Sequence, residues 1–142
     1  MDAPIECVLT TWGTDRPALQ KVRRAVFIVE QRVPESEEWD GDDLVSVHAL
    51  ATLNREPVGT GRLNPAGKIG RIAVVAGMRG RGIGATIVRR LLEEAYHRGL
   101  REPYLHAQLQ AVPFYRKFGF RSEGEVFDEA GIPHVRMKHA LE

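Results

Sequence analysis

An apolar run from Ile69 to Val75 is followed, after a short break, by Arg79-Gly80-Arg81-Gly82-Ile83-Gly84 and then by a helical pattern. After Gly84, apolar residues recur at Ile87, Val88, Leu91, Leu92 and Ala95, with Arg89, Arg90, Glu93, Glu94 and Arg98 between them. That spacing predicts a helix of about four turns with one buried face, stopped at Gly99. A second strand-like run, Tyr104 to Leu109, comes next. Strand, glycine turn, helix and strand together predict a crossover between two parallel strands. Ligands of such units bind beyond the carboxyl ends of the strands, where the glycine turn sits.

The turn has the composition of an anion cradle. Glycines let backbone N–H groups approach an anion closely, and the first turn of a helix offers unpaired donors and a positive dipole end. Two arginines add charge. A phosphate-bearing ligand is therefore expected. The segment is not a P-loop, because Gly77 to Gly82 is followed by Ile83 where Lys is required. Nor is it a Rossmann fingerprint, because its glycines are spaced Gly80-x-Gly82-x-Gly84.

The pattern Arg79-x-x-Gly82-x-Gly84 resembles the acyl-CoA pyrophosphate loop of the GNAT N-acyltransferase superfamily. A second segment, Gln108-x-x-Ala111-x-x-Phe114-Tyr115-x-x-x-Gly119-Phe120, resembles that superfamily's Asn-x-x-Ala-x-x-Phe-Tyr-x-x-x-Gly-Phe, with Gln108 in place of Asn. Read without the resemblance, Val112 to Phe118 is a short helix whose aromatics, Phe114 and Phe118 with Phe120 beyond, belong to the core. A third segment is Val126-Phe127-x-Glu129-x-Gly131-Ile132-Pro133-His134-Val135-x-Met137. Together with Val26 to Gln31, Gly70-Arg71 and Ala107-Gln108, it resembles the ElaA-like branch. The resemblance runs from about residue 20 to residue 138.

The resemblance implies an α/β fold: a mixed sheet of six to seven strands, splayed parallel central strands and helices on both faces. It also implies a cosubstrate, acetyl-CoA, and no metal. The pantetheine arm would pair with the backbone of Ile72, Ala73 and Val74 as an added strand, in a slot opened by a bulge. Arg79, Gly80, Arg81, Gly82, Ile83 and Gly84 would hold the pyrophosphate, and Gln108, Phe114 and Tyr115 would complete the cofactor site. An amine acceptor would attack the thioester directly, and Tyr115 would protonate the departing thiolate. An alkylammonium has a pKa near 10.4, so a group must also accept its proton. Glu30, His106 and His134 are the candidates, each with a purely structural alternative. The strand carboxylate the family often uses is absent, because position 71 is arginine.

Residues 33 to 46 carry Glu35, Glu37, Glu38, Asp40, Asp42 and Asp43, with Glu30 just before. They are expected to form an irregular segment on the acceptor side, either complementing a cationic amine or simply solvated. With Val26-Phe27-x-x-Glu30, the spacing Glu38-x-Asp40-x-x-Asp43 also faintly resembles the acyl-homoserine lactone synthases. Elsewhere, Asp15 is expected to cap a helix with Pro17 in its first turn, running through Leu19, Val22, Val26 and Phe27. Val47 to Leu53 and Val58 to Leu63 read as a hairpin, and Arg121 to Phe127 with His134 to His139 as a terminal strand pair.

The chain's 142 residues suit a single domain, 1–142. A net charge of +1 with both signs interspersed speaks against a nucleic-acid surface. Cys7, the one cysteine, has no partner for an internal disulfide and sits in a predicted strand, Ile5 to Thr11. No apolar run approaches a membrane span or a signal-peptide core, so a cytoplasmic protein is expected, monomeric or homodimeric. The acceptor could be a small-molecule or a protein amine. A non-catalytic acyl-CoA-binding sensor or partner module would show the same loop, and thiol release from acetyl-CoA with an amine would separate the two.

Overall fold

The computed structural model describes residues 4–140; residues 1–3 and 141–142, the ends of the expected domain, lie outside the described residues. The chain begins with β1 (Ile5–Thr11), α1 (Trp12–Arg23) and a π-helical continuation, Arg24–Glu30. Two single turns, α2 (Glu35–Glu38) and α3 (Asp42–Val45), lead into β2 (Val47–Leu53), β3 (Glu56–Leu63) and β4 (Lys68–Val74). Then come α4 (Ile83–His97), β5 (Tyr104–Gln108), α5 (Val112–Arg116), β6 (Phe120–Glu129) and β7 (Ile132–His139). One seven-stranded sheet takes the order β1-β2-β3-β4-β5-β7-β6. Its β4–β5 pair is parallel and the other neighbours are antiparallel. This is the mixed α/β sheet expected from the sequence.

Strand alternation sends side chains to two covered faces. In β2, Ala49 and Ala51 pack beneath α4, whereas Leu50 meets Trp12 and Leu19 of α1. The amphipathic pattern after the glycine turn becomes α4, which buries Ile83, Ile87, Val88, Leu91, Leu92 and Ala95. Each Ile, Val and Leu side chain among them contributes roughly 1.5–3 kcal/mol when fully buried. The helix lies close on β3 because Gly61 has no side chain there. A Cβ at that position would stand 2.6 Å from Ile87 and 2.7 Å from Leu91.

The predicted splay is present, and its cause is local. β4 and β5 pair at Lys68–Tyr104 and Ile69–Leu105, and no pairing follows toward Val74 and Gln108. The register between β3 and β4 slips between Thr60 and Arg62, and Arg71 adopts φ 53°. A non-glycine residue in that region costs on the order of 1–3 kcal/mol. The Thr60 hydroxyl donates to the Arg71 carbonyl at 3.2 Å and so pins the bulge. Ile69 and Ile72, three residues apart, both pack into the core containing α4, while Ala73 joins Val22 and Val26 of the α1 layer. The facing of β4 therefore flips at Arg71.

Two expectations are corrected. An additional helical turn begins at Trp12, ahead of the helix expected from Asp15, with the Thr11 hydroxyl accepting from the Thr14 N–H at 3.2 Å and the Asp15 carboxylate accepting from the Thr10 hydroxyl at 2.6 Å. Asp15 marks a break inside α1 (φ −127°, ψ 27°), because Pro17 supplies no N–H and its ring crowds the carbonyl four residues back. The acidic segment is likewise neither irregular nor simply solvated. Buried Arg23 organises it: its Nε donates to Glu38 at 2.8 Å and a terminal nitrogen donates to Asp43 at 2.6 Å. Arg62 adds hydrogen bonds to Asp40 (2.7 Å) and Asp43 (2.9 Å). Trp12 and Trp39 lie against the Arg23 guanidinium, with centroids 5.3 and 5.1 Å away.

Candidate active site

The gap between β4 and β5 opens into a cavity of about 720 Å³. At its mouth stands the glycine–arginine turn. Gly80 and Gly82 both sit at φ 80°, a conformation that glycine adopts without strain. Gly82 immediately precedes α4 and supplies no side-chain cap, and the first turn of the helix carries no acid. The leading N–H groups of α4 are thus left for a ligand. Arg81 is exposed and makes no ion pair among the described residues. Arg79 is engaged differently: its terminal nitrogens donate to both oxygens of Glu30, each at 2.7 Å, and its Nε donates to the Val74 carbonyl at 3.0 Å.

That pairing brings two sequence candidates together in an unexpected way. The Arg79 hydrogen bond holds the Glu30 carboxyl below its usual range, so Glu30 stays an ion-paired carboxylate. Its position comes from the π-helical stretch, where the Gln31 N–H reaches the Val26 carbonyl at 3.0 Å. These widened turns set Val26, Phe27, Glu30 and Gln31 along the cavity. Gln31 in turn accepts from the Gln108 amide at 2.9 Å, and Gln108 accepts from Gln110 at 2.6 Å. The longer side chain at 108 thereby bridges the end of β5 to the π-helical stretch.

Tyr115 projects from α5 into the same cavity and is 9% exposed. Phe114 and Phe120 meet its ring edge-on, with centroids 5.1 and 6.0 Å away. Burial pushes the phenol well above its ordinary pKa, so it keeps its proton. Phe114 also touches the glycine turn, since a Cβ on Gly84 would lie 3.5 Å from its ring. It serves both the core and the cavity wall.

His106 and His134 converge on one carboxylate. His106 Nδ1 donates to Glu129 Oε1 at 2.9 Å, which leaves Nε2 as the acceptor in the neutral ring. His134 Nδ1 donates to the Ile132 carbonyl at 2.7 Å, and its Nε2 lies 3.6 Å from Glu129 Oε2. Phe127 packs edge-on to His106 and stacks on His134. Burial raises the Glu129 carboxyl, but the His106 hydrogen bond and the Lys68 charge outweigh it and hold the group low.

In the sequence Glu129 stands in the third segment without an assigned role. Its place follows from strand pairing: His134 lies opposite both Gln108 of β5 and Phe127 of β6, and Glu129 is two residues beyond Phe127 on the same face. Alternation along β6 carried that signal, but only for a reader who knew that β7 lies between β5 and β6. Arg71 and Lys68, which also line the cavity, were missed as well.

A mixed sheet parted between its parallel strands, with a glycine–arginine turn at the mouth of the gap, is the architecture that the GNAT resemblance implies. Similarity to known proteins agrees. A family model described as an acetyltransferase (GNAT) domain matches residues 16–141. The uncharacterized N-acetyltransferase YjcF of Bacillus subtilis is 43% identical over 121 residues, covering 82% of this chain and 86% of its own. An acyl-CoA N-acyltransferase structure from Pseudomonas aeruginosa is 31% identical with TM-score 0.87, covering 96% of this chain and all of its own. The structure of Escherichia coli ElaA is 33% identical with TM-score 0.85, covering 94% and 99% of the two chains. The chain belongs to the GNAT N-acetyltransferase family, in its ElaA-like branch. Among the described residues no helix is long and apolar enough to cross a membrane.

Proposed function

We propose that the protein moves an acetyl group from acetyl-CoA to an amine by direct attack in a ternary complex, with Tyr115 serving the departing thiolate and His106 accepting the amine proton. The observation that carries this reading is the parted β4–β5 pair, which leaves β4 backbone unpaired beside a protonated, cavity-lining phenol. The pantetheine arm hydrogen-bonds to the backbone of Ile72, Ala73 and Val74, and the pyrophosphate sits on the turn from Arg79 to Gly84. The amine nitrogen attacks the thioester carbon, and a β4 N–H facing the gap stabilises the oxyanion. Collapse then breaks the carbon–sulfur bond. Removing one such oxyanion donor typically costs about 10²–10³ in rate. The cytoplasm, where acetyl-CoA is held, is the compartment this reading implies.

His106 is favoured as base by its wiring. Glu129 fixes the tautomer and points a free Nε2 lone pair away from the carboxylate, the arrangement of a carboxylate-oriented histidine. Glu30 is tied at both oxygens to Arg79. His134 is engaged at Nδ1 by the Ile132 carbonyl, and its Nε2 faces Glu129 at 3.6 Å rather than a substrate.

His106→Gln is expected to lower kcat/KM about 10²-fold and to abolish the acidic limb of the pH–rate profile. Glu129→Gln removes a negative charge from beside the imidazole, so its acidic limb moves to lower pH while a smaller share of the rate is lost. An acidic limb that persists unchanged in His106→Gln would show that another group is the base.

A further inference from the structure

The end of the cavity away from the glycine turn is lined by three cations, Arg62, Lys68 and Arg71, beside His106, Glu129 and His134. Most of the acids that neutralise these cations are not in the lining. Asp40 and Asp43 engage Arg62 from behind the wall, and Glu38 and Asp40 engage one side of Arg71. Glu129 and Glu30, the carboxylates that do line the cavity, are held by His106 and by Arg79. The acceptor end therefore brings Lys68 and Arg71 to its lining, with Arg71 ion-paired along one side and carrying further N–H groups.

Two cations are incompletely used. Lys68 is half-buried, and its ammonium makes no hydrogen bond or ion pair among the described residues. Burial depresses its pKa against the pull of Glu129, so the site holds this amine at a cost. Arg71 donates through one terminal nitrogen to the Glu38 carbonyl and the Asp40 carboxylate, both at 3.2 Å. Its Nε lies 3.1 Å from Glu38 yet out of hydrogen-bond alignment, and is buried without a partner. The other terminal nitrogen is unengaged.

Backbone geometry joins the two. In a regular strand, residues three apart face opposite sides. The bulge at Arg71 reverses the facing, so Lys68 and Arg71 share the side of β4 opposite Ile69 and Ile72. Between them Gly70 leaves open space, since a Cβ there would meet nothing within 4 Å. The left-handed backbone at Arg71 is thus maintained where it turns a guanidinium into the acceptor end.

We infer that the amine acceptor also carries a carboxylate, held by Lys68 and the free edge of Arg71 while its amine is presented to His106. This rests on the acyl-transfer reading above. An amino-acid-like molecule satisfies both ends, whereas a simple alkylamine or polyamine would leave the spare donors of Lys68 and Arg71 without an acceptor.

N-acetylglycine, N-acetyl-β-alanine and N-acetyl-4-aminobutyrate, titrated into the CoA-saturated protein, test the inference against their neutral twins N-ethyl-, N-propyl- and N-butylacetamide. At least one acid is expected to bind about tenfold tighter than its twin, the size of one charge-assisted hydrogen bond in a half-buried site. Lys68→Met should erase that difference and Lys68→Arg should retain it. Equal affinity within every pair, or an advantage that survives Lys68→Met, overturns the inference. Failure of CoA itself to bind defeats the acyl-transfer reading instead. The same pairs titrated into CoA-free protein still read the anion site, so the two failures are distinguishable.

Discussion

Tyr115→Phe is expected to lower turnover about 10³-fold while leaving acetyl-CoA affinity within about twofold. The ring's packing against Phe114 and Phe120 survives the substitution, so the groove keeps its shape. What disappears is the phenolic hydroxyl, whose hydrogen bond the bound thioester scarcely needs and the emerging thiolate needs strongly. An interaction made mainly in the transition state appears in kcat and not in ground-state binding. Burial holds the phenol protonated, which has a second consequence. Because its pKa is raised above the ordinary value near 10, Tyr115 contributes no loss of activity on the alkaline side below about pH 10. A weak acid of this kind acts first by a hydrogen bond that strengthens as charge gathers on sulfur. A turnover equal to that of the native protein would remove Tyr115 from the mechanism.

Arg23→Ala is expected to destabilise the fold by about 3–5 kcal/mol, the range for removing one partner of a buried ion pair. In a chain of this length that lowers Tm by roughly 10 °C. Arg23 is wholly buried, and its loss leaves Glu38 and Asp43, each 2% exposed, without their main donor. Both tryptophan faces lose their cation, and the guanidinium leaves a cavity. The two carboxyls respond to pH in opposite senses. Burial pushes Asp43 up, but hydrogen bonds from Arg23 and Arg62 outweigh it and hold the carboxyl low. Its stabilisation is therefore intact above its unfolded pKa, near 3.9, and is lost as pH falls through the depressed value. Burial keeps Glu38 raised despite its arginines, so its contribution is present at low pH and lost as pH rises through the raised value. Differential scanning calorimetry reads the loss directly; a Tm shift under about 2 °C would mean that Arg62 and Arg71 neutralise the pair alone.

The crossover from β4 through the glycine turn and α4 to β5 was legible because each signal is contiguous: an apolar run, glycines that tolerate φ 80°, and a 3.6-residue period. The splay was expected from family resemblance, but its cause at Arg71 was not, since nothing in Gly70-Arg71-Ile72 marks a left-handed residue. The acidic segment was misread for want of long-range information. Its partners Arg23, Arg62 and Arg71 lie on three different elements, and a run of carboxylates read alone looks solvated. Glu30 illustrates the same limit, because its partner Arg79 stands 49 residues away. The histidine pair on Glu129 depends on β7 inserting between β5 and β6, a strand order that local periodicity does not encode.

The proposed acetyl transfer requires acetyl-CoA to occupy the parted β4–β5 groove with its pyrophosphate on the glycine–arginine turn. Calorimetric titration of the native protein, with Arg79→Ala and Arg81→Ala alongside, tests this most directly. Saturable micromolar binding of acetyl-CoA, weakened by either substitution, is the predicted result. No saturable binding up to high-micromolar acetyl-CoA would contradict it.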